Sequence, residues 1–358
     1  MFLELLKPQG QSSKIQNQSS TIKARHPRLT LRRTLGVCGG LVAALLGGVL
    51  VAALWGSEKL PAGATLCALA TGGACGLTPE QHAILWQLRL PRIALAAAVG
   101  AALATAGAAY QALLRNPLAE PYLLGISNGA AIGTMLALVF LGASAGARTA
   151  LALAGAALTT LAVYRLARGR AGATPERMIL AGVIITSLLS SVIVFATTLL
   201  DATRLRSFTF WLLGDLSGAT PDALWILWPA TLLGAGVLFS QARALNLLML
   251  GERDAFDLGV ETGRVRLVVF LAASLLVGAS VAAGGSVGYV GLVVPHLARL
   301  AWGSDNRLAL PASGLVGALF VIAADTLART LIAPRELPVG AVTALIGAPL
   351  FIYLLRRG

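Results

Sequence analysis

Apolar residues run in blocks of roughly twenty along nearly the whole chain, each long enough to cross about 30 Å of hydrocarbon as a helix. Ten such spans are predicted, at about 36–55, 92–114, 122–142, 147–167, 177–199, 222–242, 265–284, 286–302, 308–331 and 337–355. The eighth is short and Gly-rich at its start. The blocks are continuous and rich in Ala, Leu and Gly. A membrane β-barrel would instead show segments alternating in and out, so the pattern predicts an all-α membrane protein. Residues 1–35 fall outside it, polar, basic and rich in Gln and Ser. They read as a cytoplasmic tail, disordered or lying on the membrane surface, ahead of a ten-span domain over 36–358.

One interruption is of a different kind. Residues 244–260, ALNLLMLGERDAFDLGV, are too short and polar to cross a bilayer, yet Leu247, Leu248, Leu250, Ala255 and Leu258 keep a helical apolar spacing, broken by Gly251 and Gly259. Two short amphipathic helices are expected. Charge is balanced around them, with Arg243, Arg253, Arg264 and Arg266 against Glu252, Asp254, Asp257 and Glu261. A lipid-binding loop would be polybasic. A balanced amphipathic loop fits a dock for another protein.

Composition agrees with a polytopic chain: 57% of the 358 residues are hydrophobic and 12% charged, where a soluble domain carries about a quarter charged. The net charge of +13 would suggest nucleic acid in a soluble protein. Here its position matters more. With the N-terminus inside, twenty of the 28 Lys and Arg residues lie in inner segments, including Arg115, Arg165, Arg168, Arg170, Arg177, Arg299 and Arg307. By the positive-inside rule, both termini are cytoplasmic.

A faint repeat links VGAALATAG at 99–107 to VGASVAAGG at 277–285, each in the first span of a four-span group. Because those spans run in opposite directions, the halves would be inverted repeats of the kind found in transporters. In the fifth span Thr186, Ser187, Ser190, Ser191, Thr197 and Thr198 line one side. They read either as hydroxyls bonded within and between helices or as a water-facing pathway.

Catalytic signatures are missing. Nothing matches GxxxxGK[ST], and no lysine follows Lys59, so the chain has no P-loop of its own. Cys38, Cys67 and Cys75 lack ligand spacing and are odd in number, implying neither a disulfide framework nor a metal site. Asp325 is the acidic residue well inside a span, and Arg329, one turn later, can pair with it. A proton relay through Asp325 is the alternative. On the outer side, Arg89 and Arg92 in LRLPR, with Arg329 and Arg335, run against the topology signal. They fit a dock for an acidic partner or snorkelling side chains. Two inner turns stand out: NPLAEP at 116–121, and the Gly-rich run that leads to Pro295 and His296.

The runs LRLPR (88–92), LLRNPLAEPYLLGISNGAAIG (113–133), MILAGV (178–183), WLLGDLSGA (211–219), LNLLMLGE with LGV (245–260), VGYVGLVVPHLAR (287–299), ADTLAR (324–329) and ELPVGAVTALIGAPLFIYLLRR (336–357) resemble, in this order, the iron-siderophore/haem/cobalamin permease family of bacterial ABC importers, the type II, ten-span kind. The resemblance covers about residue 36 to the end. It implies a homodimer in the bacterial inner membrane with a pore between the two copies. It also implies two cytoplasmic ATPase subunits holding ATP and Mg, a periplasmic binding protein, and no cofactor or metal on this chain. Leu248, Gly251, Glu252, Ala255, Leu258 and Gly259 would seat on the ATPase. Arg89, Arg92 and Arg329 would receive carboxylates of the binding protein. Asn116 and Leu118 match the inner gate, with Thr174 a weaker match; on the pathway reading of the hydroxyl stripe, Ser187, Ser190, Ser191 and Thr198 would face it. The cargo would be a bulky iron chelate, with LRSFTFWLLGDL at 205–216 nearer to haem members than to cobalamin ones. Two departures are GGSVGY at 284–289, where many relatives carry Gly-Pro, and Asp215, where Ser or Gly is commoner. A proton-coupled secondary transporter and a non-transporting scaffold are the rivals.

Overall fold

A computed structural model describes residues 30–140, 145–169 and 172–357. The expected tail therefore lies outside the described residues up to residue 29, as does Arg170. The helices are α1 (Leu31–Leu54), α2 (Ala62–Thr71), α3 (Pro79–Ala83), α4 (Leu90–Leu113), α5 (Ile126–Phe140), α6 (Ala145–Ala167), α7 (Pro175–Thr197), α8 (Ala202–Leu212), α9 (Pro221–Ser240), α10 (Ala242–Leu250), α11 (Glu252–Asp257), α12 (Thr262–Gly284), α13 (Val290–Trp302), α14 (Asn306–Thr330) and α15 (Val339–Arg357). Among the described residues, seven helical runs are long and apolar enough to cross a membrane. Shorter apolar helices stand at three other expected spans, α5, α13 and α15.

The second run is longer than the sequence suggests. Helix continues from Pro79 to Leu113, through a wider, π-type turn at Ile84–Arg89. Pro91 lies inside the run, where its ring removes one backbone donor and crowds the preceding turn. A locally widened turn accommodates that crowding. The run starts at a reciprocal cap: Thr78 accepts from the Gln81 amide, and Gln81 accepts from the Thr78 amide.

Helix α4 is the axis of the fold, buried over almost its whole length. It packs on α14, α13, α12 and α9, while α12 packs in turn on α6 and α5. Small residues make this possible. A methyl on Gly100 would overlap the Gly317 carbonyl, and one on Gly107 would overlap that of Gly291. Close backbone approach and dispersion hold such helices together where lipid offers no hydrophobic drive.

Three expectations are corrected. Cys67 and Cys75 form a disulfide across the end of α2, because αL turns at Gly72 and Cys75 bring the chain back on itself. The all-α fold carries one small hairpin, with Arg168 paired to Ala173 and Gly169 to Gly172. Between α12 and α13 the chain breaks out of helix, with Gly285 at φ +71° and Tyr289 at φ +67°. A side chain at Gly285 would strike the Trp211 carbonyl, so glycine is required there.

Candidate functional site

Residues 244–260 form the expected pair of helices. Leu245 and Leu248 on α10 and Ala255 on α11 face inward and are buried. Gly251 (φ +153°) and Gly259 (φ +83°) turn the chain at either end of α11. Leu248 and Ala255, expected at a partner surface, are thus packing residues, placed inward by the same helical period that turns their neighbours out. Leu250, Phe256 and Leu258 are 69%, 70% and 64% exposed, beside exposed Arg253, Asp254 and Asp257. Three uncovered apolar side chains ringed by mixed charge make a surface suited to protein docking.

Glu252 is held from behind. Its carboxylate accepts from Arg266 of α12 at 2.8 Å. The same guanidinium donates to the Ala173 carbonyl, one residue before Thr174. Thr174 caps α7, its hydroxyl accepting from the Arg177 amide at 3.4 Å. One arginine therefore joins Glu252 to the residue just before Thr174.

A second connection runs from Asn246 of α10. Its side chain donates to Asp305 at 2.8 Å and accepts from both the backbone and side-chain amides of Asn306 at 2.8 Å. Arg299 of α13 donates to Asn306 Oδ1 and to the Ala108 carbonyl on α4, both at 2.9 Å. Asn306 is fully buried. Partial burial pushes the Asp305 carboxyl up, but the hydrogen bonds from Arg307 and Asn246 outweigh it and hold the group at about 2. None of Asn246, Asn306 and Arg299 was singled out for this role, because nothing in one sequence says which polar residues meet.

The turn after α4 is rigid. Asn116 Oδ1 accepts from the Leu118 amide at 2.9 Å, closing an Asx turn, and Leu118 is exposed. Asn116 lines a cleft of about 420 Å³ together with Gln111, Arg115, Met249, His296 and Arg299. Met249 belongs to α10, so the expected gate and the docking helices border one space. Glu120 accepts from the Tyr289 amide at 3.2 Å, while Tyr122 both donates to and accepts from the backbone of Val287. These bonds tie the gate turn to the break before α13. Asp215, the other departure, closes a tight turn by accepting from the Ser217 amide at 2.8 Å.

At the opposite end of α4 the arginines are buried. Arg89, 4% exposed, donates to the Ala53 and Glu58 carbonyls at 2.8 Å. Arg92 pairs with Asp325 at 2.9 Å and Glu336 at 2.7 Å, and Arg329 pairs with Asp325 at 3.1 Å. The predicted Asp325 to Arg329 pair is present and is joined by a third member. Arg89, Arg92 and Arg329, expected to receive carboxylates of a docking partner, are thus buried in the single chain, where their guanidiniums serve contacts within it, since charge this buried needs a partner nearby.

The hydroxyls of α7 divide. Ser190 accepts from Asn128 of α5 at 2.8 Å, and Thr186 donates to the Leu123 carbonyl at 3.3 Å. Ser191 and Thr198 bond their own helix. Ser187, Ser190, Ser191 and Thr198 all stay exposed on one arc of the helix. Both readings offered for this stripe thus have residues that fit them.

The profile of the FecCD transport family matches residues 44–357. The chain is 44% identical to the vitamin B12 import system permease protein BtuC of Vibrio cholerae, over 77% of this chain and 84% of that protein. It is 42% identical to the hemin transport system permease protein HmuU of Yersinia pestis, over 76% of this chain and 83% of that one. A solved structure, an inward-facing conformation of a metal-chelate type ABC transporter, superposes with a TM-score of 0.79 at 33% identity, covering 90% of this chain and 99% of that one.

Proposed function

This chain belongs to the FecCD transport family, and from that premise we propose that it is the permease subunit of an ABC importer carrying a cobalamin, haem or iron chelate inward across the bacterial inner membrane. The observation that carries this reading is the α10–α11 hairpin. It offers Leu250, Phe256 and Leu258 to a partner while Arg266 ties Glu252 to the foot of α7. A docked ATPase subunit, bearing ATP and Mg, would move the hairpin and shift the populations of pore states. This chain supplies no ATPase site and no cofactor.

Two copies would enclose the pathway, with Ser187, Ser190, Ser191 and Thr198 of α7 along it. Their exposure in the single chain supports that placement, since hydroxyls gain little from lipid. Asn116 and Leu118 would narrow the inner mouth. The ten-span topology with both termini inside is supported by the Cys67–Cys75 bridge, which the topology puts on the oxidising outer side, where disulfides persist. Reciprocal packing of α4 on α14 and α12 on α6 supports inverted four-helix halves. A binding protein would deliver cargo to the outer face. The run at 205–216 tilts the cargo reading towards haem.

Proteoliposomes holding this chain with its ATPase, and a binding protein outside, test the proposal. Uptake of the chelate should require ATP and both partners. Uptake that continues without the ATPase, or copies of the chain that never associate with it, would defeat the reading.

A further inference from the structure

Far from the inner hairpin, a cavity of about 430 Å³ lies between the first turns of α6, helix α8 and the start of α9, closed by the last turn of α12. Its lining includes Arg148, Arg206, Ser207, Phe210, Trp211 and Asp215. In the proposed topology it opens on the outer side.

Its charge is unbalanced. Arg148 Nε is shielded from solvent and has no hydrogen-bond partner among the described residues. Arg206 is exposed and makes no ion pair with a described residue; its guanidinium lies 5.8 Å over the Phe210 ring. Stacking of this kind fixes the plane of an arginine while leaving its N–H edge free. The nearby Arg204 is already paired with Asp201 at 3.3 Å. Asp215, the single carboxylate of the lining, is occupied by the Ser217 amide through one oxygen. Two cations thus face one carboxylate beside two aromatic faces. A shielded guanidinium N–H without an acceptor is costly, and in a folded protein a ligand oxygen commonly satisfies it.

We propose that this cavity is an outer subsite for an anionic group of the cargo, a carboxylate or phosphate, with the adjoining ring of the chelate laid against Phe210 and Trp211. Arg148 and Arg206 grip the anion and Ser207 supplies a hydroxyl. The volume, at the small end of ligand pockets, has room for an acidic side arm and the ring beside it. The inference rests on the importer reading and narrows it: cargo lacking an anion would not use this site.

Equilibrium dialysis of the full chain in lipid nanodiscs tests it, with four probes. Iron protoporphyrin is compared with its dimethyl ester, which removes the carboxylates. Cobalamin is compared with cobinamide, which lacks the phosphate-bearing nucleotide loop. The anionic member of one pair should bind about tenfold tighter, as expected for one charge-assisted hydrogen-bonded contact. Arg148→Gln with Arg206→Gln should erase that preference. Arg206→Gln alone, at an exposed position, should reduce it without lowering the melting temperature. Equal binding within both pairs overturns the subsite, as does a preference that survives in the double variant. Weaker association of a binding protein with unchanged chelate preference also overturns it. ATP-driven uptake by the wild-type assembly separates the failures: intact uptake with no anion preference removes the subsite alone, whereas uptake without an ATPase removes the importer reading.

Discussion

Arg92 on α4 and Asp325 on α14 are ion-paired at 2.9 Å, with side-chain exposures of 11% and 1%. Asp325 also takes Arg329, and Arg92 also takes Glu336, so four charges from two helices and the following loop balance each other inside the fold. Removing one member strands the others. Asp325→Asn should cost about 3–5 kcal/mol, because two buried guanidiniums lose their shared counter-ion. Thermal unfolding in detergent measures it, and transport should fall only as far as folded protein does. An Asp325→Asn protein with a normal melting temperature and no transport would instead mark a proton relay.

The hairpin separates docking from packing. Phe256→Asp and Leu258→Asp place charge where exposed apolar surface now stands, and each should weaken ATPase association at least about tenfold, typical of losing an interface anchor. Melting temperatures should stay unchanged. Leu248→Ala should do the reverse, costing about 2–5 kcal/mol as a buried leucine. Co-purification and melting curves, read together, tell the two apart.

Much of this division was legible in advance. Apolar periodicity placed the spans and both helices of the hairpin, since burial along a helix repeats on a fixed period. It did not say which apolar residues of the hairpin point inward, because α10 and α11 are short and each has a neighbour on one side. The intrachain contacts of the outer arginines were hidden for a related reason: a charge that breaks the topology rule looks available, yet Arg89 finds a carbonyl on α1 and Arg92 finds carboxylates on α14 and the loop beyond it. Those partners lie 36, 233 and 244 residues away along the chain. The start of the second run could have been read, since Thr78, Pro79, Glu80 and Gln81 spell a capping box. The Cys67–Cys75 bridge was missed because an odd cysteine count hides a pair.

Arg266 should transmit the state of the hairpin to α7. Glu252→Arg replaces the 2.8 Å ion pair with repulsion and draws Arg266 away from the Ala173 carbonyl. In vesicles with the ATPase, hydrolysis should continue while uptake falls. Glu252→Gln, which keeps an oxygen for Arg266 to donate to and leaves its bond to the Ala173 carbonyl in place, should retain more uptake than Glu252→Arg. Wild-type uptake in Glu252→Arg would remove Arg266 from the connection.

Acid should release the other connection. Hydrogen bonds from Arg307 and Asn246 hold the Asp305 carboxyl at about 2, below the usual carboxylate range. A group whose pKa is lowered on folding adds stability above its unfolded value and loses it as pH falls towards the folded one. The contribution of Asp305 is therefore complete at neutral pH and declines between about pH 4 and pH 2. Asp305→Asn should lower the melting temperature at pH 7 and narrow its gap to wild type as the pH approaches 2. Asn246→Leu should remove the Asn246 contacts at every pH, leaving the buried Asn306 amide without its acceptor at a cost of about 1–3 kcal/mol. Hydrogen exchange across α10 reads both variants, and α10 protected equally in Asn246→Leu and wild type would mean that Asn246 does not anchor the docking helices.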